Sequence, residues 1–152
     1  ASITYSPEQK GGLETAGGII NALDLLGDEP FLIVNGDIWT DFPFEQFTDF
    51  SLSPDTLAHL VMVNNPEHNL QGDFSLSSGK VQLSEQQRYT YSGMGIYHPK
   101  LFSTHKVQRL ALKPILVKAI EQQQISGQHY QGEWSDIGTV DRLEQLNKKL
   151  SA

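Results

Sequence analysis

The chain alternates short apolar runs with stretches of helical period, and the two spacings separate strands from helices. Ile3–Ser6 reads as a short strand, and residues 7–12 as a polar, glycine-containing loop. From Thr15 onward, Ile19, Ala22, Leu23 and Leu26 share one helical face, and Gly27 suits the residue that ends the helix. Phe31–Asn35 begins as an unbroken apolar run, the pattern of a strand buried inside a parallel sheet. Phe44, Phe47 and Phe50 recur every three residues and predict a short amphipathic helix, with a turn following at Pro54-Asp55.

Leu57–Val63 predicts a second buried strand, and Asp73–Leu76 with Val81–Leu83, joined through Ser78-Gly79, a hairpin. Tyr89–Tyr97 predicts a longer strand that contains Gly93 and Gly95. Pro114 suits the first turn of a helix whose buried face is Ile115, Leu116, Ala119 and Ile120. His129–Trp134 reads as a final strand, and Thr139 as the N-cap of a last helix with Leu143, Leu146 and Leu150 inside. Strands alternating with helices, plus one hairpin, imply a three-layer α/β domain with a mixed sheet. No repeat or linker divides it, so residues 1–152 read as one domain.

Composition narrows the function. A net charge of −7 without a basic stripe argues against a nucleic-acid partner. No apolar run approaches the length of a membrane span. The absence of cysteine removes disulfides, thiolate zinc sites and a cysteine nucleophile, and fits a cytoplasmic protein. The chain does not begin with Met, and Ile3–Ser6 has no segment before it to cover it. It therefore reads as the carboxyl-terminal part of a longer protein.

Candidate chemistry lies where apolar runs end. Asn35-Gly36-Asp37 follows Phe31–Val34, which places a carboxylate at the open edge of a sheet, where α/β proteins bind ligands. Asp136, in Trp134-Ser135-Asp136-Ile137-Gly138-Thr139, stands between a strand and a helix. Singly, Asp37 fits a turn aspartate and Asp136 a charge at a helix start. Together they fit a hard divalent cation facing phosphate oxygens. Gly11-Gly12-Leu13-Glu14-Thr15-Ala16-Gly17-Gly18 opens a helix, where free amides favour anions and Glu14 and Thr15 can read a planar base. It also fits a plain flexible cap. Gly72-Asp73-Phe74 and Ser92-Gly93-Met94-Gly95 suit a sugar pocket or, equally, close sheet packing. Asp41 reads as a turn residue, and the five histidines, His59, His68, His98, His105 and His129, lack metal-ligand spacing.

In order and approximate spacing, Leu13–Gly18, Val34–Asp37, Gly72–Phe74, Tyr91–Gly93 and Trp134–Thr139 resemble the sugar-phosphate nucleotidyltransferases, or NDP-sugar pyrophosphorylases. The resemblance covers nearly the whole chain. It implies the nucleotide-diphospho-sugar transferase fold, a Rossmann-like α/β/α architecture with a mixed, mainly parallel sheet, here without its amino-terminal strands. It implies transfer of a nucleotide from a nucleoside triphosphate to a sugar 1-phosphate with release of pyrophosphate. UTP and N-acetylmuramate 1-phosphate are the substrates it favours, with a place in peptidoglycan recycling. Mannose-1-phosphate guanylyltransferases and glucose-1-phosphate thymidylyltransferases are the near alternatives.

The same resemblance assigns Mg2+ to Asp37 and Asp136, the nucleotide to Glu14, Thr15, Gly17 and Gly36, and the sugar to Gly72, Asp73, Ser92 and Gly93. Two departures accompany it. The family's glycine-rich phosphate loop with its Arg and Pro-Lys has no counterpart here, so the chain alone is expected to be inactive, with surfaces available for self-association. Glu85-Gln86-Gln87-Arg88 replaces the family's Glu-Lys-Pro, leaving Arg88 as the substitute cation. A non-catalytic nucleotide-sugar-binding domain and a metal-dependent phosphohydrolase are the rival readings.

Overall fold

The computed structural model describes residues 2–8 and 11–151. Helix α1 (Glu14–Leu26) ends at Gly27, whose φ of 80° lets its N–H bond the Leu23 carbonyl. Strands β1 (Phe31–Val34) and β2 (Ile38–Thr40) follow, then a 3-10 turn at Phe44–Phe47 and strand β3 (Ala58–Val63). Strands β4 (Phe74–Ser77) and β5 (Lys80–Gln82) form the expected hairpin, ahead of the long β6 (Arg88–Tyr97). Helix α2 (Leu112–Glu121), β7 (Ile125–His129), β8 (Trp134–Asp136) and α3 (Val140–Leu150) complete the order.

Six strands make one sheet in the order β1-β6-β3-β7-β5-β4, and β4 also pairs with β6. Among the described strands β3 and β7 make the parallel pairing. Both β1 and β3 run against β6, so β1, β3 and β7 point the same way with β6 threaded between two of them. The expected mixed α/β sheet is thus present, but among the described strands its pairings are mainly antiparallel rather than mainly parallel, because β6 is inserted between β1 and β3 and the β4–β5 hairpin pairs antiparallel at the other end. Strands β2 and β8 form a separate two-stranded ladder.

Every residue of β3 is buried, because the sheet is covered on both faces. Leu60 and Met62 face the core under α1 and α2, with Ala16, Ile20, Tyr97, Leu112 and Leu116. Val61 faces the other way, joining Phe42 and Met94 beneath Phe44, Phe47, Tyr130 and Trp134. This alternation is the period-2 geometry of a strand read directly in its burial.

Four further expectations need correction. Ile3–Ser6 forms no strand, and Ile3 and Tyr5 are 78% and 83% exposed; an apolar alternation without a neighbour to pair has no ladder. Among the described strands β1 stands at the end of the order, with Leu32 and Val34 half exposed, because an apolar run reports burial but not how many neighbours a strand has. The final stretch is two strands, β7 and β8, with β7 starting at Ile125 in the middle of the sheet. Its sequence, Ile-Ser-Gly-Gln-His, is too polar to read as a central strand. In α3, Thr139 accepts the Arg142 amide as N-cap and Leu146 is buried, but Leu143 and Leu150 are exposed.

Candidate functional site

The β2–β8 ladder decides where the two acids meet. Ile38 pairs with Asp136, and the Ile137 amide donates to the Asp37 carbonyl at 2.8 Å. Asp37 and Asp136 therefore stand on adjoining backbones, although about two-thirds of the chain separates them. A Cβ on Gly138 would lie 3.1 Å from Asp136 Oδ1 and 3.1 Å from Asp37 Oδ2. Glycine at 138 keeps that spot open between two carboxylates.

Asp136 is held firmly. Its Oδ1 accepts the Gly138 amide at 2.9 Å. Its Oδ2 lies 2.7 Å from Arg142 Nη1 and 3.0 Å from His68 Nε2. Partial burial raises its carboxyl, but the Gly138 amide, the Arg142 guanidinium and His68 outweigh that and hold it below the ordinary Asp value. Neither Arg142 nor His68 stands out in the sequence, since each reads as a solvated polar residue.

A cleft of about 340 Å³ opens beside this pair and brings together Asp37, Asp136, Asp73, Ser92 and Gly93. Its walls are tied by main-chain bonds. Trp134 Nε1 donates to the Ser92 carbonyl at 2.9 Å, and the Asn35 amide to the Gly93 carbonyl at 2.9 Å. Gly93 has φ +82°, and a Cβ there would lie 2.7 Å from Asn35 Nδ2, so glycine is required for both conformation and space. Ser92 is buried and its hydroxyl accepts the Met94 amide. Gly72, at φ +65°, sits against Asn65 and the Arg88–Tyr89 backbone.

A second cavity of about 400 Å³ adjoins the first through shared walls of Asn35, Asp73 and Tyr91, and is lined further by Glu14, Thr15 and Lys113. Asp73 is the pivot between them. Its Oδ2 accepts the Tyr91 amide at 3.0 Å, and its Oδ1 meets Lys113 Nζ at 3.1 Å. The Tyr91 hydroxyl accepts from Tyr97, and burial pushes both phenols well above their usual range.

Glu14, also at positive φ, is paired with Arg109 at 2.7 Å. Gly17 stands apart from the cleft, buried where a side chain would collide with the Gln108 carbonyl, and its amide donates to Leu110. Gly36 is exposed with open space around it. The helix start is already capped by an anion, because the Leu13 amide donates to Glu8 Oε2. Arg88 is engaged away from the cleft, donating to the Asp73 carbonyl and pairing with Glu85. The Lys or Arg side chain that lines the second cavity is Lys113, which the sequence hides as a helix-start charge beside Pro114.

The nucleotidyl transferase family matches residues 1–152. The chain is 47% identical to an N-acetylmuramate alpha-1-phosphate uridylyltransferase of Neisseria meningitidis, over 99% of this chain and 68% of that protein. It is 27% identical to mannose-1-phosphate guanyltransferase beta-A of Xenopus laevis, covering 86% of the chain and 39% of the relative. The fold superposes on the inositol-1-phosphate CTP transferase from T. maritima with a TM-score of 0.72 at 16% identity, across 95% of this chain and 64% of that one. The chain belongs to the nucleotidyl transferase family of enzymes.

Proposed function

We propose that this chain is the sugar-phosphate-binding part of a magnesium-dependent uridylyltransferase that joins UTP to N-acetylmuramate 1-phosphate. One observation carries the reading: the Asp37 and Asp136 carboxylates meet at the space that Gly138 leaves open. The 47% identity to a uridylyltransferase of that substrate supports the choice of base and sugar.

The donor set suits magnesium. Among the described residues no group of three or more His, Cys, Asp or Glu side chains surrounds one point, so the two aspartates are the protein ligands available. Magnesium is commonly held by one or two carboxylates together with substrate phosphates. When bound, it neutralises charge on the transferring phosphoryl group.

The chain's own residues supply position. An oxygen of the sugar phosphate attacks the α-phosphorus of the triphosphate, the α–β bridging bond breaks, and pyrophosphate leaves with its electron pair. Such a step depends on alignment more than on proton transfer. The Gly138 amide, Arg142 and His68 fix Asp136 for it, and the Trp134–Ser92 and Asn35–Gly93 bonds fix the facing wall. Glu14 and Thr15 line the adjoining cavity and Asp73 lines both; in this reading the first two meet the nucleotide and Asp73 meets the sugar.

The test uses the full-length protein, with pyrophosphate release measured for UTP, GTP and dTTP against N-acetylmuramate, mannose and glucose 1-phosphates. UTP with N-acetylmuramate 1-phosphate is expected to be fastest, and EDTA to stop it. No release with any pair would end the proposal.

A further inference from the structure

Acidic side chains outnumber basic ones in the two joined cavities, although Glu14 is paired with Arg109, and Asp136 with Arg142 and with His68 of the first cavity. Asp37, Asp73 and Asp136 line the first, and Glu14 and Asp73 the second, yet the substrate of the proposed reaction is itself an anion. Among the residues lining them, the Lys or Arg side chain is Lys113 alone. We propose that the Lys113 ammonium receives a carboxylate carried on the sugar ring, and so selects acidic sugar 1-phosphates over neutral ones. The inference rests on the transferase reading above.

Position argues for a carboxylate on the sugar rather than for the phosphate. The reacting phosphate belongs beside Asp37 and Asp136, which line the first cavity, whereas Lys113 lines the second. Because Asp73, the residue assigned to the sugar, holds Lys113, the anion at Lys113 belongs to the part of the sugar away from the reacting centre. N-acetylmuramate differs from N-acetylglucosamine by a lactyl ether that ends in such a carboxylate.

The ammonium is placed but not saturated. Asp73 Oδ1 holds it at 3.1 Å, and Asp73 is fixed in turn by the Tyr91 amide. The Phe74 ring lies 5.8 Å below Nζ, and the side chain is 60% exposed, so donors remain for an incoming group. Asp73 thus acts as the positioning residue that keeps Lys113 at the lip of the cavity.

The experiment is calorimetric binding of N-acetylmuramate 1-phosphate and its carboxyl methyl ester to the full-length protein. The wild type should bind the acid about tenfold more tightly than the ester. Lys113→Gln should erase that gap, and Lys113→Arg restore part of it. A gap that survives in Lys113→Gln, or an equal loss for acid and ester, would overturn the assignment. If the wild type binds both alike, the carboxylate assignment fails while the transferase reading stands. If it binds neither, both fall.

Discussion

Arg142 Nη1 lies 2.7 Å from Oδ2 of Asp136, on the carboxylate that also faces Asp37. The guanidinium both aims that carboxylate and competes for one of its oxygens. Arg142→Ala should let the Asp136 carboxyl titrate higher and should raise the magnesium concentration needed for half-maximal turnover. Arg142→Lys should recover part of the loss, since an ammonium supplies charge without the planar fork. Metal titration of turnover, with carbon-13 NMR of the Asp136 carboxyl, checks both.

Asp37→Ala should lower turnover by about 10²–10³-fold, the scale for removing one electrostatic contact to a transition state. Asp37 is exposed, so unfolding should change by only about 0.5 kcal/mol. Near-normal turnover in the full-length variant would remove Asp37 from the chemistry.

Gly93→Ala tests the facing wall. A left-handed alanine costs about 1–2 kcal/mol, and here the new methyl would also displace Asn35. Urea unfolding should show at least that loss, and substrate binding should weaken with it because Asn35 lines both cavities.

His59 should set part of the acid sensitivity of the fold. Its ring is buried between Ser126 Oγ at 2.8 Å and Gln128 Oε1 at 3.0 Å, beside Phe50. Burial lowers its pKa from 6.5, against a smaller opposing bond from Gln128. The unfolded chain therefore takes up the proton first as pH falls. The stability that neutral His59 contributes is complete above about pH 6.5 and is lost below it, down to the depressed folded value. His129, also depressed by burial, acts in the same direction. Melting temperatures of His59→Gln should fall less steeply from pH 7 to pH 5 than those of the parent.

Much of this was legible in the residues. Apolar runs located β1, β3 and β6, Gly27 located the end of α1, and Thr139 the start of α3. The pairing of Asp37 with Asp136 was legible because Asp37 ends an apolar run and Asp136 stands between a strand and a helix, each with glycine close by. What stayed hidden depended on tertiary neighbours. Ile3–Ser6 has strand-like residues but pairs with no strand among the described residues, and β7 is polar in sequence yet central in the sheet. Lys113, Arg142 and His68 look like ordinary surface charges until the fold brings Asp73 and Asp136 to them. Gly17 looked like part of a ligand loop, but its amide and its missing side chain are both used by the 108–110 segment.

The ladder of β2 and β8 contains only three residue pairs and lies outside the six-stranded sheet. Elements so small open locally with far less free energy than the core they flank. Mild denaturant should therefore part the two acids, and silence the protein, while amide exchange still finds β3 and β6 closed.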